Sequence, residues 1–318
     1  MRFLKFYRKY FHIFYVKIII FEHNQFSKKS MILVADSGSS NSDWMLNLPD
    51  SKPLSFQTKG LNPFFVNEKE IAKVMKEVPE ILPYANEIQE VYFFGAGCVT
   101  PDRREIVSNA LTEIFPTAFI SVESDLLGSA YATFGTKNGY ICTLGTGTDI
   151  GFFDGKHLQS SVHGIGYVLG DEGSGAWFGK QLITCFLYNK MPPDLAKKFG
   201  EKYRLNKDVV IKNVYQKDRP NAYLASFAEF MGENRLHPFI DDLLRNGFDE
   251  FVRTNIMTFS DYWEHKVNFV GGIAYHFDMH LREVCNVHGV KVGTILNRPI
   301  EHLFHFVVDR ETKAVFEE

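Results

Sequence analysis

The chain has 318 residues, 45% of them hydrophobic and 23% charged, which is enough for two domains with sizeable cores. Its formal net charge of −3 argues against a role on nucleic acid or on a membrane surface, since both need a basic face. The four cysteines, Cys98, Cys142, Cys185 and Cys285, have no metal-ligand spacing and argue against a disulfide framework, so a reducing cytoplasm fits best.

Residues 1–30 stand apart. They are rich in Phe, Tyr, Lys and Arg, with Glu22 the only acid. The run Phe11–Phe21 is too short to span a bilayer, contains His12 and Lys17, and is followed by no small-residue cleavage site. A basic amphipathic anchor is one reading. The favoured one is an extension translated from an upstream start, with Met31 the true beginning, so these residues are expected to add nothing to the fold.

From Met31 the pattern becomes regular. Met31–Ala35 is a short apolar run that reads as a buried strand; Asp36 and a turn of small residues, Ser37–Ser42, follow, and a second strand starts at Asp43-Trp44. Leu54–Lys59 alternates apolar and polar residues as a strand does. Gly60–Phe65 is a loop, and Asn67 caps a predicted helix running to about Leu82, with Pro79 interrupting its end. Gln89–Phe94 reads as a strand ending in Gly95–Cys98. Thr100-Pro101 opens a helix to about Phe115, Ala118–Val122 is a strand, and Asp125–Phe134 a helix. A β-rich start followed by β/α alternation predicts a mixed sheet covered by helices.

Gly135–Gly139 is the predicted boundary. Beyond it Tyr140–Cys142 leads into a second glycine-rich loop, Thr143–Gly151, then a strand at Ile150–Phe153 and a hairpin turn at Asp154-Gly155. Asp171 to about Thr258 is mostly helical by pattern, broken at Pro192-Pro193 and Arg219-Pro220. Val267–Val270, Ala274–Val287 and Val290–Ile295 read as strand, helix, strand. The expected division is therefore 31–138 and 139–297, the second half with a helical insertion. A C-terminal helix, about 298–318, is expected to pack back on the first half.

Several of these stretches carry chemistry. The small residues of Ser37–Asn41 let backbone N–H groups approach an anion, and Asp36 at the mouth of the turn offers hard oxygen to magnesium. An ordinary tight hairpin, with Asp36 accepting turn hydrogen bonds, is the alternative. Asp125 follows a strand and opens a helix, so its carboxylate can project into a cleft with the helix N-terminus keeping it ionised. A helix N-cap role fits the same sequence, and the two can coexist. Asp171-Glu172 fits the acidic first turn of a helix, Asn62 a turn before Pro63, and Gly271-Gly272 close helix–strand packing.

Taken together, MILVADSGSSNSDW (Met31–Trp44), VESDLLGSA (Val122–Ala130), TLGTGTDIG (Thr143–Gly151), GIGYVLGDEGSGAWFG (Gly164–Gly179) and FVGGIA (Phe269–Ala274) resemble the sugar-kinase/actin/Hsp70 ATPase superfamily. Within it the chain is most similar to the N-acetylglucosamine kinase and BadF/BadG/BcrA/BcrD-type ATPase family. The resemblance runs from about Met31 to about His305, and GDEGSGAWFG is its most specific part.

It implies an α/β fold of two similar ribonuclease H-like (actin-like ATPase) domains, mixed sheets flanked by helices, with an interdomain cleft. It further implies a cytoplasmic, homodimeric kinase that uses ATP and Mg2+ to phosphorylate an amino sugar. Asp36 would hold the metal. Ser37, Gly38, Ser39, Ser40 and Asn41 would form the first phosphate loop, and Gly145, Thr146 and Gly147 the second. Gly271, Gly272 and Ala274 would form the adenosine turn, and Asp125 would act as the base. Asn62, Thr148, Asp149, Gly164, Gly166 and Asp171 would face the sugar. Two departures stand out: many relatives carry Lys or Arg where this chain has Asn41, and some carry GWG where it has Gly164-Ile165-Gly166. The alternatives are a weak or non-catalytic ATP/sugar-binding regulator, or a BadF-type ATPase that drives a protein partner.

Overall fold

A computed structural model of the chain describes residues 30–49, 51–160 and 163–317. The expectation for residues 1–30 lies outside the described residues but for Ser30. Ile32–Ser37 (β1) is apolar on both faces because it is the middle strand of a five-stranded sheet. Asn41–Leu46 (β2) and Leu54–Lys59 (β3) add antiparallel on one side. Glu90–Gly95 (β4) and Phe119–Ser124 (β5) add parallel on the other, giving the order β3-β2-β1-β4-β5. Glu68–Lys76 (α1) and Pro101–Ile114 (α2) pack on the face that carries Leu33, Ala35, Trp44 and Phe93.

The second half repeats this plan. Gly139–Leu144 (β6), Thr148–Phe153 (β7) and Leu158–Ser160 (β8) are antiparallel; Lys266–Val270 (β9) and Lys291–Leu296 (β10) join parallel, in the order β8-β7-β6-β9-β10. The insertion after β8 comprises Gly175–Leu187 (α4), Pro193–Tyr203 (α5), Lys207–Tyr215 (α6), Pro220–Ala225 (α7), Ala228–Glu233 (α8) and Pro238–Phe251 (α9), the last continuing into a π-helical turn. Gly272–His276 (α10) and Asp278–Val287 (α11) connect β9 to β10.

The helices that follow the last strand of each sheet cross to the other sheet, the later one wholly and the earlier one with one face. Asp125–Phe134 (α3), which leaves the first sheet, packs Leu126, Ala130 and Phe134 against Ile141, Phe153 and Val270 of the second, while its Leu127 and Tyr131 stay against the first. Ile300–Glu317 (α12), which leaves the second sheet, packs Ile300, Leu303, Phe304 and Val307 against Ile32, Val34, Tyr92 and Phe94 of the first. Tyr131 joins the two layers: it stacks on Phe306 at 4.7 Å and meets Phe94 and Phe153 edge-on.

Local differences from the sequence pattern have simple causes. The Asn67-capped helix ends at Lys76 rather than near Leu82, because Pro79 cannot continue it. The expected helix Ala274–Val287 is two helices broken at Phe277, whose backbone leaves the helical region. Pro193 and Pro220 mark helix starts, where a missing N–H costs nothing.

The exchanged helices predict where the fold is sensitive. Leu303→Ala, in α12 but inside the first sheet's core, is expected to cost about 2–5 kcal/mol. The midpoint of urea unfolding checks this.

Candidate active site

Strand alternation decides which way the first loop's side chains face. Asp36 shares the α12 face with Ile32 and Val34, and its cross-strand partner is Asp43. Ser37 points the other way and is buried: its Oγ lies 2.7 Å from Ser42 Oγ and accepts from Leu61 N–H at 3.2 Å. The Ser37 side chain therefore braces the turn rather than facing the cleft. Gly38 N–H donates to Asn41 O at 2.9 Å and Gly60 N–H to Ser40 O at 2.9 Å. Asn62 is buried; its Nδ2 donates to Ser39 Oγ at 2.8 Å and its Oδ1 accepts from Phe64 N–H at 2.9 Å. Asn62 thus ties the GLNP loop to the first phosphate-type loop.

The second loop is a tighter turn, with Gly145 N–H donating to Gly147 O at 3.0 Å. The carbonyls of Gly145 and Thr146 accept from Gly175 and Ala176 at the start of α4, whose cap is Ser174. Asp171 is 8% exposed and sits at φ 61°, a conformation that costs an aspartate energy. Its Oδ1 accepts from Thr148 N–H at 3.2 Å, and Gly147 lies so close that a Cβ there would stand 2.8 Å from Asp171 Oδ2. Asp149 is on the α3 face of β7, accepts from Ile150 N–H at 2.8 Å, and lies against Gly164. Gly166 turns the chain, its carbonyl accepting from Gly170, and Lys180 Nζ holds this segment through Tyr167 O.

Gly271 (φ 131°) passes against the end of β6, where a Cβ would sit 2.5 Å from Leu144 O and 3.0 Å from Gly145 N. The Gly271-Gly272 turn and the second loop are therefore neighbours. Ala274 requires a correction. It is fully buried in the C-terminal core, so it packs instead of facing a ligand, while Tyr275 and Met279 are the exposed side chains of these short helices.

Asp125 is not the N-cap of α3. Ser124 is, accepting from Leu127 N–H at 3.3 Å, and Asp125 is the first helical residue, with Oδ1 accepting from Leu126 N–H at 3.0 Å. Its carboxylate has no cap to make and no basic partner among the described residues, and burial pushes its pKa up to about 6. Burial together with the charges of Asp125 and Asp43 pushes Asp36 up to about 8, which Arg298 opposes. Burial and then Asp125 push Asp149 up to about 7; burial raises Asp171 as well. Asp125, from the first half, acts on Asp36 of its own half and on Asp149 of the second, so acids of the two halves lie near one another. The described residues contain no group of three or more His, Cys, Asp or Glu that could hold a metal by themselves. A magnesium ion held by one carboxylate plus phosphate and water oxygens fits that arrangement.

Two residues had no signal in the sequence. Arg219, also in the left-handed region at φ 57°, reaches from the insertion to the first loop, with Nη1 3.4 Å from Ser39 O and Nη2 3.2 Å from Gly60 O. Arg298, just before α12, places Nη1 3.3 Å from Asp43 Oδ1. Both contacts join residues more than 150 positions apart, which no local pattern reveals.

A crystal structure of a candidate N-acetylglucosamine kinase from Porphyromonas gingivalis is 36% identical, with a TM-score of 0.82 over 88% of this chain and 100% of that one. The chain belongs to the N-acetylglucosamine kinase family of actin-like sugar-kinase ATPases. A candidate N-acetylglucosamine kinase from Chromobacterium violaceum shares the fold at 18% identity and a TM-score of 0.65, covering 87% of this chain and 98% of that one. So does a ROK-family glucokinase from Streptomyces griseus in complex with glucose and AMPPNP, at 14% identity and 0.53, covering 88% and 98%. No protein-family model and no curated protein matches the sequence. The buried acids are costly to the folded chain, because burial disfavours their charged forms.

That cost has a pH signature. A carboxyl whose folded pKa is raised destabilises nothing below its unfolded value near 3.8, and its penalty grows until pH passes about 8 for Asp36. Asp36→Asn is expected to raise the melting temperature of the ligand-free protein at pH 8.5 and to leave it nearly unchanged at pH 4. Differential scanning calorimetry at the two pH values checks both.

Proposed function

We propose that this sugar kinase transfers the γ-phosphoryl group of ATP to a hydroxyl of an amino sugar, with Asp125 as the base. The observation that carries the reading is Asp125 itself: a carboxylate relieved of capping by Ser124, with no basic group among the causes of its shift to about 6, and near Asp36 beside the first phosphate-type loop and Asp149 beside the second. A base is most useful when its pKa lies near the working pH. Asp125 takes the proton of the sugar hydroxyl as that oxygen attacks the γ-phosphorus and the bond to ADP breaks.

The remaining assignments follow the cleft. Ser39, Ser40 and Asn41 with Gly38, and Gly145–Gly147 opposite them, present backbone and hydroxyl donors to the phosphates. Gly271-Gly272 receives the adenosine beside the second loop. Asp149, Asp171 and Thr148 face the sugar, next to Gly164 and Gly166, while Asn62 fixes the loop below it. Asp36 is the residue that fits magnesium, which when bound neutralises phosphate charge. The amino-sugar preference is supported by the P. gingivalis relative, a candidate N-acetylglucosamine kinase. Four unpaired cysteines, and the lack of any described helix long and apolar enough to cross a membrane, support the cytoplasmic part of the reading. The homodimer rests on the family resemblance alone.

ADP release across N-acetylglucosamine, N-acetylmannosamine and glucose tests the function. A higher kcat/KM for an N-acetyl sugar than for glucose is expected, and a preference for glucose would overturn the amino-sugar assignment. Asp125→Asn is expected to lower kcat by about 10²–10⁴-fold with a near-normal melting temperature. Because the base must be ionised, wild-type kcat/KM should rise with pH through about 6 and then level off. A flat acid limb, or full turnover by Asp125→Asn, would remove Asp125 from the chemistry.

A further inference from the structure

We propose that Arg298 is the cation that binds the ATP phosphates at the first loop, delivered there from the opposite half of the molecule. This rests on the kinase reading above.

The need for such a cation is electrostatic. Phosphoryl transfer depends on positioning and charge neutralisation. The loop Ser37–Asn41 carries no basic residue, and the wall beside it carries Asp36 and Asp43, with Asp125 close enough to act on Asp36. A triphosphate approaching these acids is repelled unless positive charge is supplied locally.

The internal duplication shows where that charge comes from. The β5–α3 junction in the first half corresponds to the β10–α12 junction in the second, since the two sheets share one strand order. Each junction carries one ionisable group at the cleft. In one it is Asp125, which acts repulsively on Asp149, an acid on β7 paired across from Thr143 of β6. In the other it is Arg298, which pairs with Asp43, the acid on β2 across from Asp36 of β1. The duplicated scaffold has been given opposite charges at equivalent corners, and the basic one faces the metal-and-phosphate side.

The geometry of Arg298 suits the role. Its side chain is 57% exposed and makes one contact to Asp43, which also accepts from Gln57 Nε2. Most of the guanidinium's five donors are thus available, and a planar fork matches phosphate oxygens. The other nearby cations are less suited. Arg219 is engaged with Ser39 O and Gly60 O, and Lys180 with Tyr167 O. Lys59 lies across from Asn41 on the same face, but on the outer strand β3 and away from the Asp36–Asp43 pair.

Calorimetric titration of the intact chain with ATP and with AMPPNP, each with magnesium, tests the inference without relying on turnover. Arg298→Gln should weaken both nucleotides by about 10- to 100-fold, the range for a hydrogen bond to a charged group. Asn41→Lys placed in the Arg298→Gln background should restore part of the loss, because it returns a positive charge to the loop. Asp43→Asn should leave nucleotide affinity at or above wild type, since it frees the guanidinium and removes one of the charges that repel the triphosphate. Three results would overturn the assignment: an Arg298→Gln variant that binds as the wild type does, a Lys59→Gln variant that shows the loss instead, or an Asp43→Asn variant that reproduces it, which would reduce Arg298 to a structural ion pair. A wild-type chain that binds neither nucleotide would refute the kinase reading along with it. Normal wild-type binding with an indifferent Arg298→Gln would refute this inference alone.

Discussion

The exchange of α3 and α12 between the two sheets is the packing constraint from which the site follows. The helix α12 is covalently an extension of the second sheet and hydrophobically part of the first, while α3 lies between the sheets, with Leu126, Ala130 and Phe134 on the second and Leu127 and Tyr131 against the first. Burial of Leu303, Phe304 and Val307 on one side and Leu126, Ala130 and Phe134 on the other holds the halves together through two independent apolar layers, with Tyr131 and Phe306 stacked where they meet. Such layers are worth a few kcal/mol per large buried side chain. They fix the two helix starts, and a helix start is where a strand's direction is converted into a projecting side chain. Asp125 and Arg298 both occupy such positions, so the chemistry of the cleft is set by the same contacts that join the halves.

Charge in the cleft works against that packing. Asp36, Asp125, Asp149 and Asp171 are raised mainly by burial, Asp125 and Asp149 with no basic group opposing it and Asp36 and Asp171 despite Arg298 and Lys180. Asp171 and Arg219 add backbone strain in the left-handed region. An arrangement that disfavours the empty protein in this way is stabilised by whatever binds with opposite charge or complementary hydrogen bonds. The acids on the sheet faces are backed by fully apolar, buried cores, Leu33, Phe93 and Trp44 in the first half and Phe178, Phe248 and Phe269 in the second.

The sequence carried those parts of this picture that are local. Strand alternation, small-residue turns and proline positions placed the two sheets and both loops, because each depends on neighbours a few residues apart. The glycines of Gly145–Gly147 and Gly271-Gly272 were readable for the same reason: backbone must pass close to backbone there. Which way a side chain faces within a motif was not legible in the sequence. Ser37 and Ala274 belong to the right segments but turn inward, one to brace a hairpin and the other to fill a core. Ser124 in place of Asp125 as the cap is a one-residue matter that only the backbone geometry decides. The arginines could not be found at all, since their partners are brought near by the fold and not by the chain.

Those arginines also have a common direction. Arg219 and Arg298 both leave the second half and both end on the first, one on the carbonyls of Ser39 and Gly60, the other on Asp43. One contact is with the first loop and the GLNP loop, the other with β2 beside them. Hydrogen bonds to backbone carbonyls do not depend on side-chain identity in the loop, so Arg219 links the halves through backbone alone. Arg298 is different, because its partner is an acid that competes with phosphate for the same guanidinium. Occupation of the first loop by an anion would draw Arg298 from Asp43 while leaving the Arg219 contacts intact. The link between the halves would then shift from an internal ion pair to one made through the bound nucleotide, coupling the filling of the cleft to the position of α12 and, through Tyr131 and Phe306, to α3 and its Asp125.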